Sequence, residues 1–395
     1  IERNNTWYLT DLPSNKHQIA VKWVFKVKLN SDGSVAKHKA RLVAKGFLQK
    51  AGLDYDEVYA PVARIETIRL VIAIASAKKW SLSQMDVKSA FLNGSLDEEV
   101  YVSQPPGFIM KGKEGMVYKL NKALYGLKQA PRAWNKRIDG FLTQIGFRKS
   151  VVEYGIYVRH YSDPNNVLII CLYVDDLLIT GSNASDIAAF KKLMHSEFEM
   201  TDLGKLSYFL GLQFEDTTKG ILLHQQKYMK EILLKFNMYG CNPATTPMEV
   251  NLKLELDDTG EEVNATLYKQ IVGSLRYLCN SRPDLSFAVG VVSRFVDTPK
   301  QSHLTAVKRI MRYVQGTMNY GILFPRCVNN AVDKLEGFSD SDWCGDRVDR
   351  RSTTGYIFKY LNAPISWCSR KQPVIALSSC EAEYIACAFA ACQGL

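Results

Sequence analysis

The run Val167-Leu168-Ile169-Ile170-Cys171-Leu172-Tyr173-Val174-Asp175-Asp176-Leu177-Leu178-Ile179-Thr180 decides how this chain is read. Its apolar residues are continuous rather than alternating, which predicts strands over 167–174 and 177–180 that are buried on both sheet faces. Two acids, Asp175 and Asp176, interrupt the run. Adjacent carboxylates at the tip of a buried hairpin repel each other and lose hydration. A divalent cation relieves both costs, and hard oxygen ligands favour magnesium or manganese. The plain alternative is a solvent-exposed Asp-Asp turn.

Working outward, a third acid stands in Gln84-Met85-Asp86-Val87-Lys88-Ser89-Ala90-Phe91. Asp86 closes a predicted strand, 82–87. If that strand neighbours the hairpin, Asp86 joins Asp175 and Asp176 around two metals roughly 4 Å apart. Such a pair activates an attacking 3′-hydroxyl and stabilises a leaving pyrophosphate. Chemistry on a triphosphate is mostly positioning and charge neutralisation, so carboxylates and cations suffice. The alternative for Asp86 is a strand-terminal acid capping a turn.

The 395 residues exceed one ordinary core and suit two to four domains. With 47% hydrophobic and 23% charged residues the composition is globular. No apolar run reaches the length of a membrane span, and no signal-peptide pattern opens the chain. Because it starts at Ile1, it is expected to be a piece of a longer precursor or an incomplete reading of one. The nine cysteines include no C-x-x-C pair, which argues against zinc and for reduced, buried thiols. The net charge of +10 is concentrated: nine Lys/Arg against Asp32 alone from Lys16 to Lys50, and five against no acid from Lys300 to Arg326. Basic stretches with interleaved aromatics suit a polyanion, and a solvated basic face is the competing explanation.

Strands are predicted over 20–29 and 34–47, joined at Asp32-Gly33, and over 207–214. Helices are predicted over 67–79, with Leu70, Ile74 and Ala77 on one face, and over 133–145, with Ile138, Phe141, Leu142 and Ile145 inward. Further helices are expected over 186–198, 227–236, 268–278, 285–295, 304–314 and 380–392. Residues 243–260 read as a loop, and a domain boundary is placed at 325–333.

These motifs, in this order, resemble copia-type LTR retrotransposon reverse transcriptases. The resemblance is carried by Asn5-Thr6-Trp7, Lys22-Trp23-Val24-Phe25-Lys26, Lys39-Ala40-Arg41-Leu42-Val43-Ala44-Lys45-Gly46 and Asp86-Val87-Lys88-Ser89-Ala90-Phe91-Leu92-Asn93-Gly94. It continues through Leu124-Tyr125-Gly126-Leu127-Lys128-Gln129-Ala130-Pro131-Arg132-Ala133-Trp134, Tyr173-Val174-Asp175-Asp176 and Phe209-Leu210-Gly211. It implies an α+β right-hand polymerase followed by a partial ribonuclease H-like α/β domain. Fingers would span 1–80 with a return over 95–125, the palm 81–220, a mostly helical thumb and connection 221–325, and the ribonuclease H-like part 326–395.

The implied activity is RNA- or DNA-templated DNA synthesis with two Mg2+ or Mn2+ ions held by Asp86, Asp175 and Asp176. Phe91 would exclude a 2′-hydroxyl. Tyr125, Gly126, Lys128 and Gln129 would line the nucleotide pocket, and Lys39 or Arg41 would meet the triphosphate. Phe209, Leu210 and Gly211 would grip the primer. A helix carrying Lys308, Arg309 and Arg312 would track a phosphate backbone or present a solvated face. Asp340 and Glu383 match two ribonuclease H acids. The third would lie beyond this sequence, so hybrid cleavage is not expected from it. Implied partners are template-primer, dNTPs and other polyprotein parts such as protease, integrase and capsid, in a cytoplasmic virus-like particle. The rivals are an inactive relic that folds and binds nucleic acid, and an unrelated metal-dependent phosphotransferase or structural nucleic-acid binder.

Overall fold

The computed structural model describes residues 1–29, 34–326 and 334–394. It is a mixed α/β structure that divides into two compact units, Ile1–Arg64 with Ser83–Gly204, and Ile65–Leu82 with Lys205–Leu395.

The first unit is built on a six-stranded sheet. Its strand order is Met200–Lys205, Ser81–Val87, Asp176–Gly181, Val167–Tyr173, Ile156–His160 and Arg148–Lys149. The hairpin forms as read: Leu172 pairs with Leu177 and Tyr173 with Asp176. Ile170 and Leu172 pack with residues of the Ala130–Gln144 and Ala184–Glu197 helices. Cys171 and Leu178, which point to the opposite face, are buried as well. Burial on both faces explains why the run does not alternate. The Ala130–Gln144 helix starts three residues before the expected 133, because Pro131 fits a first turn that needs no donor there.

The same unit holds a four-stranded sheet in the order Trp7–Thr10, Val117–Leu120, Tyr101–Val102, Gln18–Ile19. It also holds a two-stranded ribbon, Val21–Leu29 with Val35–Ala44. The expected return strand to 47 stops at Ala44 and gives way to a 3₁₀ turn at Gly46–Leu48. The Asp32-Gly33 turn lies outside the described residues, as does most of the 325–333 boundary.

In the second unit the expected strand over 207–214 is two, Tyr208–Phe209 and Leu212–Asp216, in a sheet completed by Gly220–His224 and Ile322–Pro325. Leu210 and Gly211 turn the chain between them with φ of 52° and 80°, the signs of a tight hairpin loop. Helices Gln226–Lys235, Ala265–Leu278, Ser286–Val292 and Gln301–Gly316 share one apolar core. The expected 285–295 helix is α-helical only over Ser286–Val292, with 3₁₀ turns on both sides. A separate three-stranded sheet, Leu335–Ser341, Thr353–Tyr360 and Ala363–Lys371, is followed by the Ser379–Gly394 helix.

The Ile65–Ala77 helix buries Ile68, Val71, Ile72 and Ala75, not chiefly the face expected from Leu70 and Ile74. It is enclosed more widely than one stripe, and even Arg69 is buried. That guanidinium lies 3.7 Å from the Trp367 ring centroid and donates to the carbonyls of Ile365 and Asn280. The cysteines correct another expectation. The eight described are all unpaired, but only Cys171 is fully buried, and Cys380, Cys387 and Cys392 are exposed on the last helix. Small thiols on a helix surface do not need burial as a long aliphatic chain does.

Candidate active site

The strand carrying Asp86 lies directly beside the strand that opens with Asp176. The Val87 amide donates to the Asp175 backbone carbonyl at 2.8 Å, which ties the two chain segments together next to the residues that carry the acids. Asp176 is pushed up to about 6, first by burial, then by the Asp175 charge, with Asp86 adding to it. The Gln84 amide opposes this by donating to Asp176 Oδ1 at 3.4 Å. Three acids from two distant stretches therefore share one electrostatic field.

Just before Asp175 the backbone is strained. Val174 sits at φ 57°, a left-handed conformation that a β-branched residue rarely takes. Its carbonyl accepts from the indole Nε1 of buried Trp134 at 2.6 Å. Nothing local in the sequence marks Trp134 for this contact, because a hydrogen bond to a turn forty residues away leaves no trace in neighbouring residues.

Beside the acids stands an aromatic pair, Phe91 and Tyr125, with ring centroids 4.9 Å apart. Arg41 lies over the Tyr125 ring at 5.3 Å. Burial raises the Tyr125 phenol, Arg41 opposes it, and Asp175 and Asp86 reinforce it. Gly126 has φ 91°, and a Cβ there would meet the Ala44 carbonyl oxygen at 2.2 Å. The Ala44 amide donates to the Tyr125 carbonyl at 2.7 Å, so the ribbon closes onto this loop. Gln129 is buried with its amide engaged, accepting from Gln49 and donating to the Asp54 carbonyl. The Lys128 ammonium donates to the Tyr55 hydroxyl at 2.9 Å. Lys39 sits opposite Lys26 on the ribbon, half-buried, two residues from Arg41.

Among the described residues no group of three or more His, Cys, Asp and Glu side chains stands ready to hold a metal ion. Magnesium is ordinarily held by one or two carboxylates, with waters and substrate phosphates completing its shell. An acidic pair with a raised carboxyl, and a third acid in its field, fits that demand.

Residues 4–250 match the family described as reverse transcriptase (RNA-dependent DNA polymerase). The chain belongs to the reverse transcriptase family. It is 41% identical, over 98% of its length, to the retrovirus-related Pol polyprotein from transposon TNT 1-94 of Nicotiana tabacum. It is 43% identical over 96% of its length to that from transposon RE1 of Arabidopsis thaliana. The chain spans 29% and 26% of those two polyproteins. It is 35% identical to a putative transposon Ty5-1 protein of Saccharomyces cerevisiae, over 76% of this chain and 97% of that protein. The resemblance to copia-type elements therefore holds over nearly the whole chain.

In this reverse transcriptase-family chain, Phe209 is buried and Leu210-Gly211 form the hairpin turn of the second unit. The Tyr277 hydroxyl donates to the Leu210 carbonyl at 2.8 Å, and a Cβ on Gly211 would meet that hydroxyl at 1.7 Å. Of the three cations expected to track phosphate, Arg309 instead holds Glu249 and Thr246, and Arg312 holds the Asn242 carbonyl. Both brace the 242–249 loop, and Lys308 is exposed.

Glu383, on the Ser379–Gly394 helix, accepts from the Ser341 amide at 3.2 Å, which places it beside the strand end that carries Asp340. Asp342 accepts from the Thr353 amide at 2.5 Å and shapes its own turn. No described helix is long and apolar enough to cross a membrane.

Proposed function

We propose that this chain is the polymerase part of a copia-type Pol polyprotein, transferring a deoxynucleotidyl group from a dNTP to a primer 3′-hydroxyl on an RNA or DNA template. The supporting observation is the shared field of Asp86, Asp175 and Asp176, fastened by the Val87–Asp175 hydrogen bond. These three acids would hold two Mg2+ or Mn2+ ions. Bound there, the ions supply charge neutralisation at the attacking oxygen and at the leaving pyrophosphate. Phe91 supports the incoming sugar and excludes a 2′-hydroxyl, with Tyr125 fixing its ring. Arg41, anchored over Tyr125, meets the triphosphate, and Lys39 adds charge from the same face of the ribbon.

In right-hand terms the ribbon belongs to the fingers, the six-stranded sheet to the palm and the helices of 221–325 to the thumb and connection. Leu210-Gly211 is the primer-gripping turn. Asp340 and Glu383 are the ribonuclease H-like acids.

Extension of oligo(dT) on poly(rA) with labelled dTTP and magnesium tests the reading. Incorporation that disappears in Asp175→Asn is the expected result. Its absence from the folded wild-type chain overturns the proposal.

A further inference from the structure

The Leu210-Gly211 turn is held from outside its own hairpin. The strands that flank it pair Tyr208 with Gln213 and Phe209 with Leu212, so two residues make the whole reversal. Leu210 and Gly211 both sit at positive φ, 52° and 80°, which is unfavourable for a leucine. Contacts from two helices of the same unit offset this. The Lys227 amide, in the first turn of the Gln226–Lys235 helix, donates to Gln213 Oε1 at 2.8 Å. The Tyr277 hydroxyl, from the Ala265–Leu278 helix, donates to the Leu210 carbonyl at 2.8 Å. The Tyr277 ring is itself fixed. Tyr228 meets it edge-on, with centroids 4.8 Å apart and planes at 80°, and the Tyr228 hydroxyl donates to the Ser274 carbonyl at 3.3 Å. Gly211 shows how closely the Tyr277 hydroxyl approaches. A Cβ there would lie 1.7 Å from that oxygen and 3.0 Å from the ring carbon Cζ, so an aromatic pair braced by both helices leaves room for glycine alone.

We propose that Tyr277 is a positioning residue for primer extension, its hydroxyl setting the plane of the Leu210-Gly211 peptide and so the backbone that the turn presents to the primer end. The inference rests on the templated-polymerase reading. A trans peptide is planar, with its carbonyl and its N–H on opposite sides. Holding the Leu210 carbonyl against the helix therefore aims the Gly211 N–H away from it. Backbone N–H groups are among the donors that set the register of a nucleic-acid strand. In-line transfer falls off steeply when a reacting oxygen is misplaced by about 1 Å, so the tilt of one peptide in the turn reaches the chemistry. Tyr277 acts through the turn rather than by contact with the reacting atoms. A phenol suits the task, because a stiff ring carries one hydroxyl at a fixed height above the helix.

The test is primer extension by the wild-type chain, Tyr277→Phe, Gly211→Ala and the two substitutions combined, on a matched primer and on one with a 3′-terminal mismatch, with thermal melting of each protein. Tyr277→Phe is expected to lower kcat on the matched primer about tenfold, with the KM for dNTP and the melting midpoint unchanged. It should also raise the ratio of mismatched to matched extension, because a mismatched end is already displaced and has less to lose. Gly211→Ala should lose more, and adding Tyr277→Phe should recover part of that loss by vacating the place the new carbon needs, a non-additive result that residues acting independently would not give. Wild-type kcat in Tyr277→Phe overturns the proposal. So does a kcat that falls together with the melting midpoint, which marks a merely structural tyrosine, and so does a combined variant no faster than Gly211→Ala. No extension by the folded wild-type chain removes the polymerase reading and this inference with it, whereas normal wild-type extension with an indifferent Tyr277→Phe removes the inference alone.

Discussion

The indole Nε1 of Trp134 donates to the carbonyl of Val174 at 2.6 Å, joining the Ala130–Gln144 helix to the hairpin turn that leads into the two acids. That turn holds a β-branched residue at φ 57°. Strain of this kind costs on the order of 1–3 kcal/mol and persists only where surrounding structure enforces it. Trp134→Phe keeps an aromatic ring and deletes the donor. It is expected to cost about 1–2 kcal/mol in urea unfolding and to lower kcat more than it raises KM. Val174→Gly is expected to raise stability by up to about 1 kcal/mol by relieving strain, yet also to lower kcat, because the carboxylates lose their rigid mount. Equal or higher kcat in both variants would show that the turn needs no such mount.

The raised Asp176 carboxyl gives a pH signature. Its folded value of about 6 lies above an unfolded value of about 4, so the folded state binds this proton more tightly. The associated stability is present in full below about pH 4 and is lost as pH rises through about 6. In EDTA, urea midpoints of the wild type should therefore fall over this window relative to those of Asp176→Asn. Magnesium should restore the wild type at neutral pH, and parallel pH profiles for the two proteins would contradict the account.

Gly126→Ala places a Cβ 2.2 Å from the Ala44 carbonyl oxygen at a φ of 91°. Neither backbone segment can yield without breaking the Ala44–Tyr125 hydrogen bond. The expected loss is at least about 2 kcal/mol by denaturant titration, with a raised KM for dNTP. Gly140→Ala, where nothing lies within 4 Å of the added carbon, is the matched control and should be neutral or stabilising.

Phe91 stands against Tyr125 beside the acids. Removing its ring with Phe91→Ala should let a 2′-hydroxyl enter, raising the ratio of ribo- to deoxynucleotide incorporation by about tenfold or more. Single-nucleotide extension with GTP and dGTP measures it, and an unchanged ratio would make Phe91 an ordinary core side chain.

Glu383 accepts from the Ser341 amide, next to Asp340, and Asp342 is committed to the Thr353 amide. Two carboxylates bind a metal pair weakly, so the 395-residue chain should leave the RNA of a labelled hybrid intact. Cleavage that vanishes in Asp340→Asn would refute this.

The local pattern of the chain determined a good deal by itself. A continuous apolar run broken by Asp175 and Asp176 specified a doubly buried hairpin, since alternation disappears when both faces are covered. Spacing on 133–145 identified the inward residues Ile138, Phe141 and Leu142, since helical periodicity is a property of neighbours. The ordered motifs pointed to the family. Tertiary structure alone decided the rest. It placed the Asp86 strand against that hairpin, set Trp134 on the Val174 carbonyl, enclosed the Ile65–Ala77 helix beyond its predicted stripe and turned Arg309 and Arg312 onto a loop instead of outward. Each of these depends on which distant segments pack together, and contacts between distant segments carry no periodicity along the chain for a reader to find.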